Sequence, residues 1–129
     1  MKENNKLYDM NSDNTRATGG YFEDMACQYL SDRGYTVLSR NFRCRLGEID
    51  IIARDGDHIV FVEVKYRKNF KSGYPAESVG IGKIKRISAA AAFYIHKNRL
   101  PLDMPYRFDV VSIEGNEITH IVNAFEFLR

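Results

Sequence analysis

Two short stretches of the chain are dominated by strand-forming apolar residues, and a turn separates them. Residues 49–54 and 59–66 are rich in Ile, Val and Phe, which favour β-strands. Asp55 and Gly56 between them tolerate the left-handed backbone that reverses a chain. The pattern therefore predicts an antiparallel hairpin.

The loop length of this hairpin decides which side chains share a face, because directly paired residues point to the same side of a sheet. If Arg54 pairs with Ile59 or with Asp57, the numbers of the paired residues sum to an odd value. Both registers predict one charged face and one apolar face that packs into a core. The charged residues are Glu48, Asp50, Glu63 and Lys65. The apolar residues are Ile49, Ile51, Ala53, Val60, Val62 and Val64.

Three carboxylates and one ammonium on one half-buried face indicate a cation site. Carboxylates at this spacing repel one another unless a positive charge lies between them. A small set of hard oxygen ligands suits Mg²⁺ or Mn²⁺. The sequence therefore predicts a divalent metal here. The alternative is a solvated face on which Lys65 neutralises Glu63.

The remaining pattern predicts two helices and three more strands. Apolar residues recur at helical spacing over residues 18–33 and 80–98. Strands are predicted over residues 35–42, 106–113 and 117–122. The order of helix, three strands, helix and two strands predicts an α/β fold in which helices flank a mixed sheet.

Composition limits the chain to a globular protein with one core. Its 129 residues are 44% hydrophobic, 28% charged and 12% aromatic, and no apolar run approaches the ~20 residues that span a bilayer. We expect a disordered tail over residues 1–14, a single domain over 15–129, no membrane segment and a cytoplasmic location.

Two cysteines, three histidines and one further buried-strand acid are assigned no catalytic role, and the acid is interpreted as a hydrogen-bonded structural residue. These residues are Cys27, Cys44, His58, His96, His120 and Asp109.

The net charge of +2 does not by itself indicate a nucleic-acid partner, but the distribution of the basic residues is informative. Basic and aromatic residues alternate in the loop after Lys65, and more cations fall at the start of the second predicted helix, where they oppose the helix dipole and suggest an anionic partner. An ordinary solvated surface is the alternative. The candidate nucleic-acid-binding residues are Arg43, Arg45, Arg67, Lys68, Lys71, Lys83 and Arg86.

The hairpin also carries a recognisable motif. GEID, about a dozen residues and then EVK resembles the D…ExK signature of restriction-endonuclease-like nucleases, Holliday junction resolvases above all. The longer string GGYFEDMACQYLSDRGYTVLSRNFRCRLGEIDIIARDGDHIVFVEVKYR is similar to the YraN family of small bacterial endonuclease-like proteins. The resemblance implies a restriction-endonuclease-like αβββαβ core and hydrolysis of phosphodiester bonds in nucleic acid, with DNA, including branched or junction DNA, as the expected substrate and a homodimer as the expected assembly.

The resemblance also implies roles for individual residues. Asp50 and Glu63 would bind Mg²⁺ or Mn²⁺, and Lys65 would orient or activate the attacking water. Glu23, which follows Gly19 and Gly20 as in resolvase-like nucleases, would complete the metal site. The predicted catalytic residues are therefore Glu23, Asp50, Glu63 and Lys65.

Two other functions are compatible with the same residues. One is a noncatalytic module that binds nucleic acid or a protein partner and retains the nuclease fold. The other is a structural domain with a salt-bridged hairpin, which would bind neither metal nor nucleic acid. Intact acids at every motif position favour the enzyme.

Overall fold

The protein, in a computed structural model, folds as a five-stranded mixed sheet with one helix packed on each face. The structure describes residues 15–67 and 79–128. The predicted tail over residues 1–14, and most of the predicted basic loop with Lys68 and Lys71, lie outside these residues. The elements are α1 (Thr15–Asp32), β1 (Thr36–Cys44), β2 (Gly47–Asp55), β3 (His58–Arg67), α2 (Ile81–Lys97), β4 (Tyr106–Glu114) and β5 (Glu117–Phe125).

The strands lie in the sheet in the order in which they occur along the chain. β1, β2 and β3 form antiparallel pairs, β3 and β4 are parallel, and β4 and β5 are antiparallel. The parallel pair requires a crossover, which α2 supplies. Arg54 pairs with Ile59, as in one of the two registers considered above. The predicted α/β fold with a mixed sheet between helices is confirmed.

α1 covers one face of the sheet through a stripe of residues four apart. Phe22, Ala26 and Leu30 are buried against the strands, because residues at this spacing lie on one side of a helix. The helix ends at Asp32, and Gly34 follows with a φ of 94°, a conformation that favours glycine. The buried strand residues beneath α1 are Ile51, Ala53, Val60, Val62, Val64, Val111 and Ile113.

α2 covers the opposite face. Small residues allow this helix to lie close to the strands, where Ala90 and Ala91 are fully buried. Phe61 and Phe108 fill the space below it, with ring centroids 5.5 Å apart. The buried residues of this second cluster are Ile49, Ile52, Ile59, Phe61, Ile87, Ala90, Ala91, Ile95 and Phe108.

One predicted side-chain direction is wrong. Ile49 was placed on the face of Ile51, but it packs in the α2 cluster. β1 shows the reason, because Asn41 adopts a left-handed φ of 54° between the pairs Arg40–Ile51 and Phe42–Ile49. Side chains change faces at this point, so the simple alternation of a strand does not hold there.

Neither described helix has the length and apolar character needed to cross a bilayer. Over residues 15–67 and 79–128, every buried side-chain nitrogen and oxygen has a hydrogen-bond partner. The buried polar groups of these residues are therefore hydrogen-bonded to specific partners, and the two aspartates described below are examples.

Candidate active site

Asp50 and Glu63 meet where the hairpin ladder ends. The last pair between β2 and β3 is Ile51 with Val62, and the next residues outward are Asp50 and Glu63. Beyond this point β3 continues to pair with β4, while its other edge has lost β2. The N–H of Val64 donates instead to Asp50 Oδ2, at 2.8 Å. A carboxylate thus takes the place of a backbone acceptor in the sheet.

The two carboxylates share a buried environment that disfavours two negative charges. Glu63 is only 5% exposed. Burial, followed by the charge of Glu63, raises the pKa of Asp50 to about 8, although the hydrogen bond from Val64 opposes the shift. A hydrogen bond joins the two side chains. At neutral pH without metal, Asp50 therefore holds a proton next to Glu63.

Lys83 brings a positive charge to the same carboxylate from α2. Its Nζ lies 2.6 Å from Glu63 Oε2. Gly47 makes this approach possible, because a Cβ there would lie 2.7 Å from the backbone oxygen of Arg86. The cation at the start of α2 therefore has an anionic partner inside the protein, and Lys83, predicted to bind nucleic acid, lies in the carboxylate site.

Glu23 lies on α1 at the edge of this site. Its charge contributes to the raised pKa of Asp50, while its own side chain lies 3.7 Å from Arg40 Nη2. Within the described part of the chain, no three His, Cys, Asp or Glu side chains converge as a ready metal-binding group. The structure thus brings Asp50 and Glu63 together, and Glu23 acts on them from a greater distance.

Lys65 lies on β3 two residues beyond Glu63 and is half-buried. It alternates with Val64, which faces α1, so Lys65 shares the α2 face with Glu63. Glu48 does not join the carboxylates as predicted. Its side chain is 57% exposed and pairs with Arg43 at 3.0 Å, because the change of faces near Asn41 separates it from Asp50.

A basic rim surrounds one side of the carboxylates. Arg43, Lys83 and Arg86 line a pocket of about 390 Å³ next to Gly47. Arg45 is exposed in the turn between β1 and β2, and Arg67 is half-buried at the end of β3. The rim can contact an anion that approaches Glu63 from solvent.

A second buried aspartate lies elsewhere in the sheet and has a different environment. Asp109 is fully buried on β4 and accepts hydrogen bonds from Arg107 Nε at 2.9 Å, His120 Nε2 at 2.7 Å and the Asn123 N–H at 3.0 Å. Tyr35 donates a further bond at 3.2 Å. Burial alone would raise the pKa of Asp109, but the bonds from His120 and Arg107 outweigh it and lower the pKa to about 2.

The prediction that Asp109 is a hydrogen-bonded structural residue is confirmed. Sequence reasoning missed two partners, because His120 was treated as an isolated histidine and Arg107 received no role. Alternation on β4 places Arg107 and Asp109 on the same face, which is the signal that could have linked them. No local signal links His120, since its bond depends on the pairing of β5 with β4.

The carboxylate pair fits a divalent cation chemically. Asp50 and Glu63 set two carboxyl groups side by side, and the cost of ionising both falls when a cation binds between them. Hard carboxylate oxygens are also the ligands that Mg²⁺ and Mn²⁺ take, with water or substrate oxygens completing the shell. Asp50 and Glu63 are therefore the residues in this structure that could hold such an ion.

Comparison with known proteins places the chain among uncharacterised bacterial relatives. The sequence model of the uncharacterised protein family UPF0102 matches residues 22–113. A UPF0102 protein of Lachnoclostridium phytofermentans is 50% identical over 113 residues, which cover 88% of this chain and 96% of the relative. One from Clostridioides difficile is 47% identical over 114 residues, covering 87% and 99% of the two chains. One from Syntrophus aciditrophicus is 51% identical over 113 residues, covering 84% and 88%.

Proposed function

The chain belongs to the uncharacterised protein family UPF0102, the YraN family that its motifs resemble, and we propose that it is a metal-dependent nuclease that hydrolyses phosphodiester bonds in nucleic acid. The observation that carries this proposal is the buried pair Asp50 and Glu63 at the end of the β2–β3 ladder. Burying two carboxylates together costs free energy, which a purely structural role would not need. A cation site gives the arrangement a function.

Asp50 and Glu63 would hold Mg²⁺ or Mn²⁺, with Glu23 contributing directly or through water. When bound, such an ion supplies a Lewis acid for the phosphate oxygen, a more acidic water and stabilisation of the leaving oxygen. The N–H of Val64 holds Asp50 Oδ2 in place and so orients the carboxyl group beside Glu63. Burial keeps the Glu63 carboxylate in one position, where it could also bind the ion.

Lys65 is the residue proposed to act on the attacking water. It lies two residues beyond Glu63, on the same face of β3. A positive charge there orients the water and stabilises the negative charge that develops on the phosphate oxygens. This interaction is stronger in the transition state than in the ground state, so it increases the rate of the chemical step.

The basic rim is proposed to bind the nucleic-acid backbone. Arg43 and Arg86 line the pocket together with Lys83, which pairs with Glu63. Arg45 lies just after β1, and Arg67 lies at the end of β3. Arg side chains suit phosphate because their planar fork donates two hydrogen bonds. Lys68 and Lys71 are proposed to add to this surface. DNA, including branched or junction DNA, is the proposed substrate, with a homodimer as the proposed assembly and the cytoplasm as the proposed location.

A cleavage assay with Mn²⁺ tests this function on branched, duplex and single-stranded DNA and on RNA. We expect the wild-type protein to cleave at least one of them and Asp50→Asn to be at least a hundredfold slower. Asp57→Asn is the matched control, because it removes the same charge from the exposed hairpin turn. Absence of cleavage on every substrate would contradict the proposal.

A noncatalytic nucleic-acid-binding module is the second candidate. The observation that favours it is Lys83, which already neutralises Glu63 without metal. Such a module would bind nucleic acid in a salt-dependent way and leave it intact at any Mn²⁺ concentration. Filter binding and the cleavage assay on the same samples separate the two functions.

A further inference from the structure

Lys83 and Glu63 form an ion pair whose two members differ in freedom. The Glu63 side chain is 6% exposed, whereas that of Lys83 is 51% exposed. The carboxylate is therefore fixed within the sheet, while the flexible four-carbon stem of the lysine starts at the protein surface. Lys83 can leave Glu63 without opening the core.

The ammonium pairs with an oxygen that could also coordinate a metal ion. Lys83 Nζ lies 2.6 Å from Glu63 Oε2. A divalent ion on the same oxygen would repel the ammonium strongly at such short range. Lys83 and the ion therefore compete for Glu63.

If Lys83 left Glu63, it would still line a pocket in which an anion could bind. Lys83 shares its pocket with Arg43 and Arg86, so an anion in the pocket would find three cations around it. Arg43 is partly neutralised by Glu48, and Lys83 is neutralised by Glu63 until a metal replaces it. The pocket thus becomes more positive when Glu63 accepts a metal.

We propose that Lys83 is a positioning residue that occupies Glu63 in the metal-free protein and moves to a backbone phosphate of the substrate when a divalent ion binds, so that metal and nucleic acid bind cooperatively. This inference rests on the nuclease site proposed above. A bound ion releases Lys83 for the phosphate, and a bound phosphate keeps Lys83 away from Glu63. The coupling is reciprocal because it is a property of the binding equilibria. Metal alone then binds weakly, and the site is completed only with substrate.

Calorimetric titration with Mn²⁺, without nucleic acid, tests the competition. Lys83→Met removes the charge at similar length, and we expect it to bind Mn²⁺ about fivefold more tightly than wild type. Lys85→Met is the matched control, because it removes the same charge from an exposed position of the same helix, and it should bind Mn²⁺ as wild type does. Lys83→Arg retains a cation and should restore weak binding.

The titration separates failure of the inference from failure of the proposed function. Equal or weaker Mn²⁺ binding by Lys83→Met, while wild type binds, would overturn the role of Lys83 and leave the metal site intact. No Mn²⁺ binding by wild type or by Lys83→Met would contradict the site itself. A misfolded variant cannot imitate the expected result, since loss of fold lowers metal affinity.

Nucleic-acid binding tests the second half of the exchange. With Ca²⁺ as an oxygen-ligated ion, wild-type affinity for a short duplex should rise and the slope of log affinity against log salt should steepen by about 0.9, the value for one additional phosphate contact. Lys85→Met should show the same change, whereas Lys83→Met should keep the gain in affinity that the ion itself contributes and lack the added steepening from Lys83. An equal change in Lys83→Met would overturn the transfer to phosphate.

Discussion

Asp50 and Asp109 lie on two strands of the same sheet, the first partly buried and the second fully buried, and their environments differ in almost every respect. Asp109 accepts bonds from Arg107, His120, Tyr35 and a backbone N–H, and its pKa falls to about 2. Asp50 faces a second carboxylate, and its pKa rises to about 8. One aspartate is supplied with donors, and the other is placed against a like charge.

This difference separates a structural acid from a candidate functional one. A buried carboxylate surrounded by donors stabilises the fold and has no remaining oxygen for a ligand. A carboxylate placed beside another carries a free-energy cost in the metal-free protein that a cation would remove. Desolvation alone does not distinguish the two, because it acts to raise the pKa of both aspartates. The hydrogen-bond partners of each carboxyl oxygen distinguish the two aspartates.

The largest expected effect belongs to Asp109. Asp109→Asn should lower the free energy of unfolding by about 3–5 kcal/mol at pH 7, because an amide would direct its own donors at Arg107 and His120. Urea denaturation measures this, with the exposed Asp103→Asn as control. Since the folded pKa is lowered, the stabilisation is present above about pH 4 and is lost as the pH falls through about 2. Equal stability of Asp109→Asn and wild type would show that Asp109 lacks the stabilising role that distinguishes it from Asp50.

Lys65→Ala should show the opposite behaviour, losing chemistry while retaining stability. We expect cleavage to fall about a hundredfold, the scale for one preorganised electrostatic group, with Mn²⁺ binding retained. Lys65→Arg should restore little, because a planar guanidinium does not replace a compact ammonium. Single-turnover cleavage with saturating protein is the measurement. Wild-type rates in Lys65→Ala would exclude the assigned role.

Gly47→Ala tests how α2 is held at the Asp50 site. The added Cβ would lie 2.7 Å from the backbone oxygen of Arg86, so the helix must shift, at a cost of about 2 kcal/mol in the free energy of unfolding. Lys83 should then separate from Glu63, and the Asp109 network should be unaffected. Gly20→Ala, where a Cβ meets no neighbour, is the matched control. Equal unfolding midpoints for both variants would contradict the close packing.

The smallest expected effect is a dependence of stability on pH. Because the pKa of Asp50 is about 8 in the folded chain and near 4 when unfolded, the metal-free protein retains a proton that the unfolded chain releases, and it loses stability as the pH rises from 4 to 8. Asp50→Asn lacks this loss, so its stability relative to wild type should increase between pH 5 and 8, by about 1–2 kcal/mol after solvent screening of the partly exposed carboxyl group is allowed for. Denaturation in EDTA at pH 5 and at pH 8 measures the increase. A decrease would contradict the raised pKa assigned to Asp50.

The sequence predicted most of the fold because its local signals agree with one another. Asp55 and Gly56 predicted the hairpin and limited its pairing to two registers, one of which the structure shows. Residues 22, 26 and 30 predicted the buried side of α1. The motif acids Asp50 and Glu63 were placed next to each other by the same pairing rule. Signals of this kind depend only on spacing along the chain.

The parts that were missed depend on tertiary structure. Asn41 changes the faces of β1 and β2 through one left-handed residue, which the apolar pattern does not encode, so Ile49 and Glu48 were misplaced. The contact of Lys83 with Glu63 depends on how closely α2 approaches β2 at Gly47. Such distances are set by packing between elements distant in sequence.

The order of the strands also has a kinetic consequence. β1, β2 and β3 pair with their sequence neighbours, so they can form early in folding, whereas the bond between Tyr35 and Asp109 joins residues 74 positions apart. We expect the Asp109 network to be absent from the folding transition state. Changes there should accelerate unfolding and leave the folding rate nearly unchanged, so the lifetime of the native protein depends on the face of the sheet opposite to its carboxylate pair.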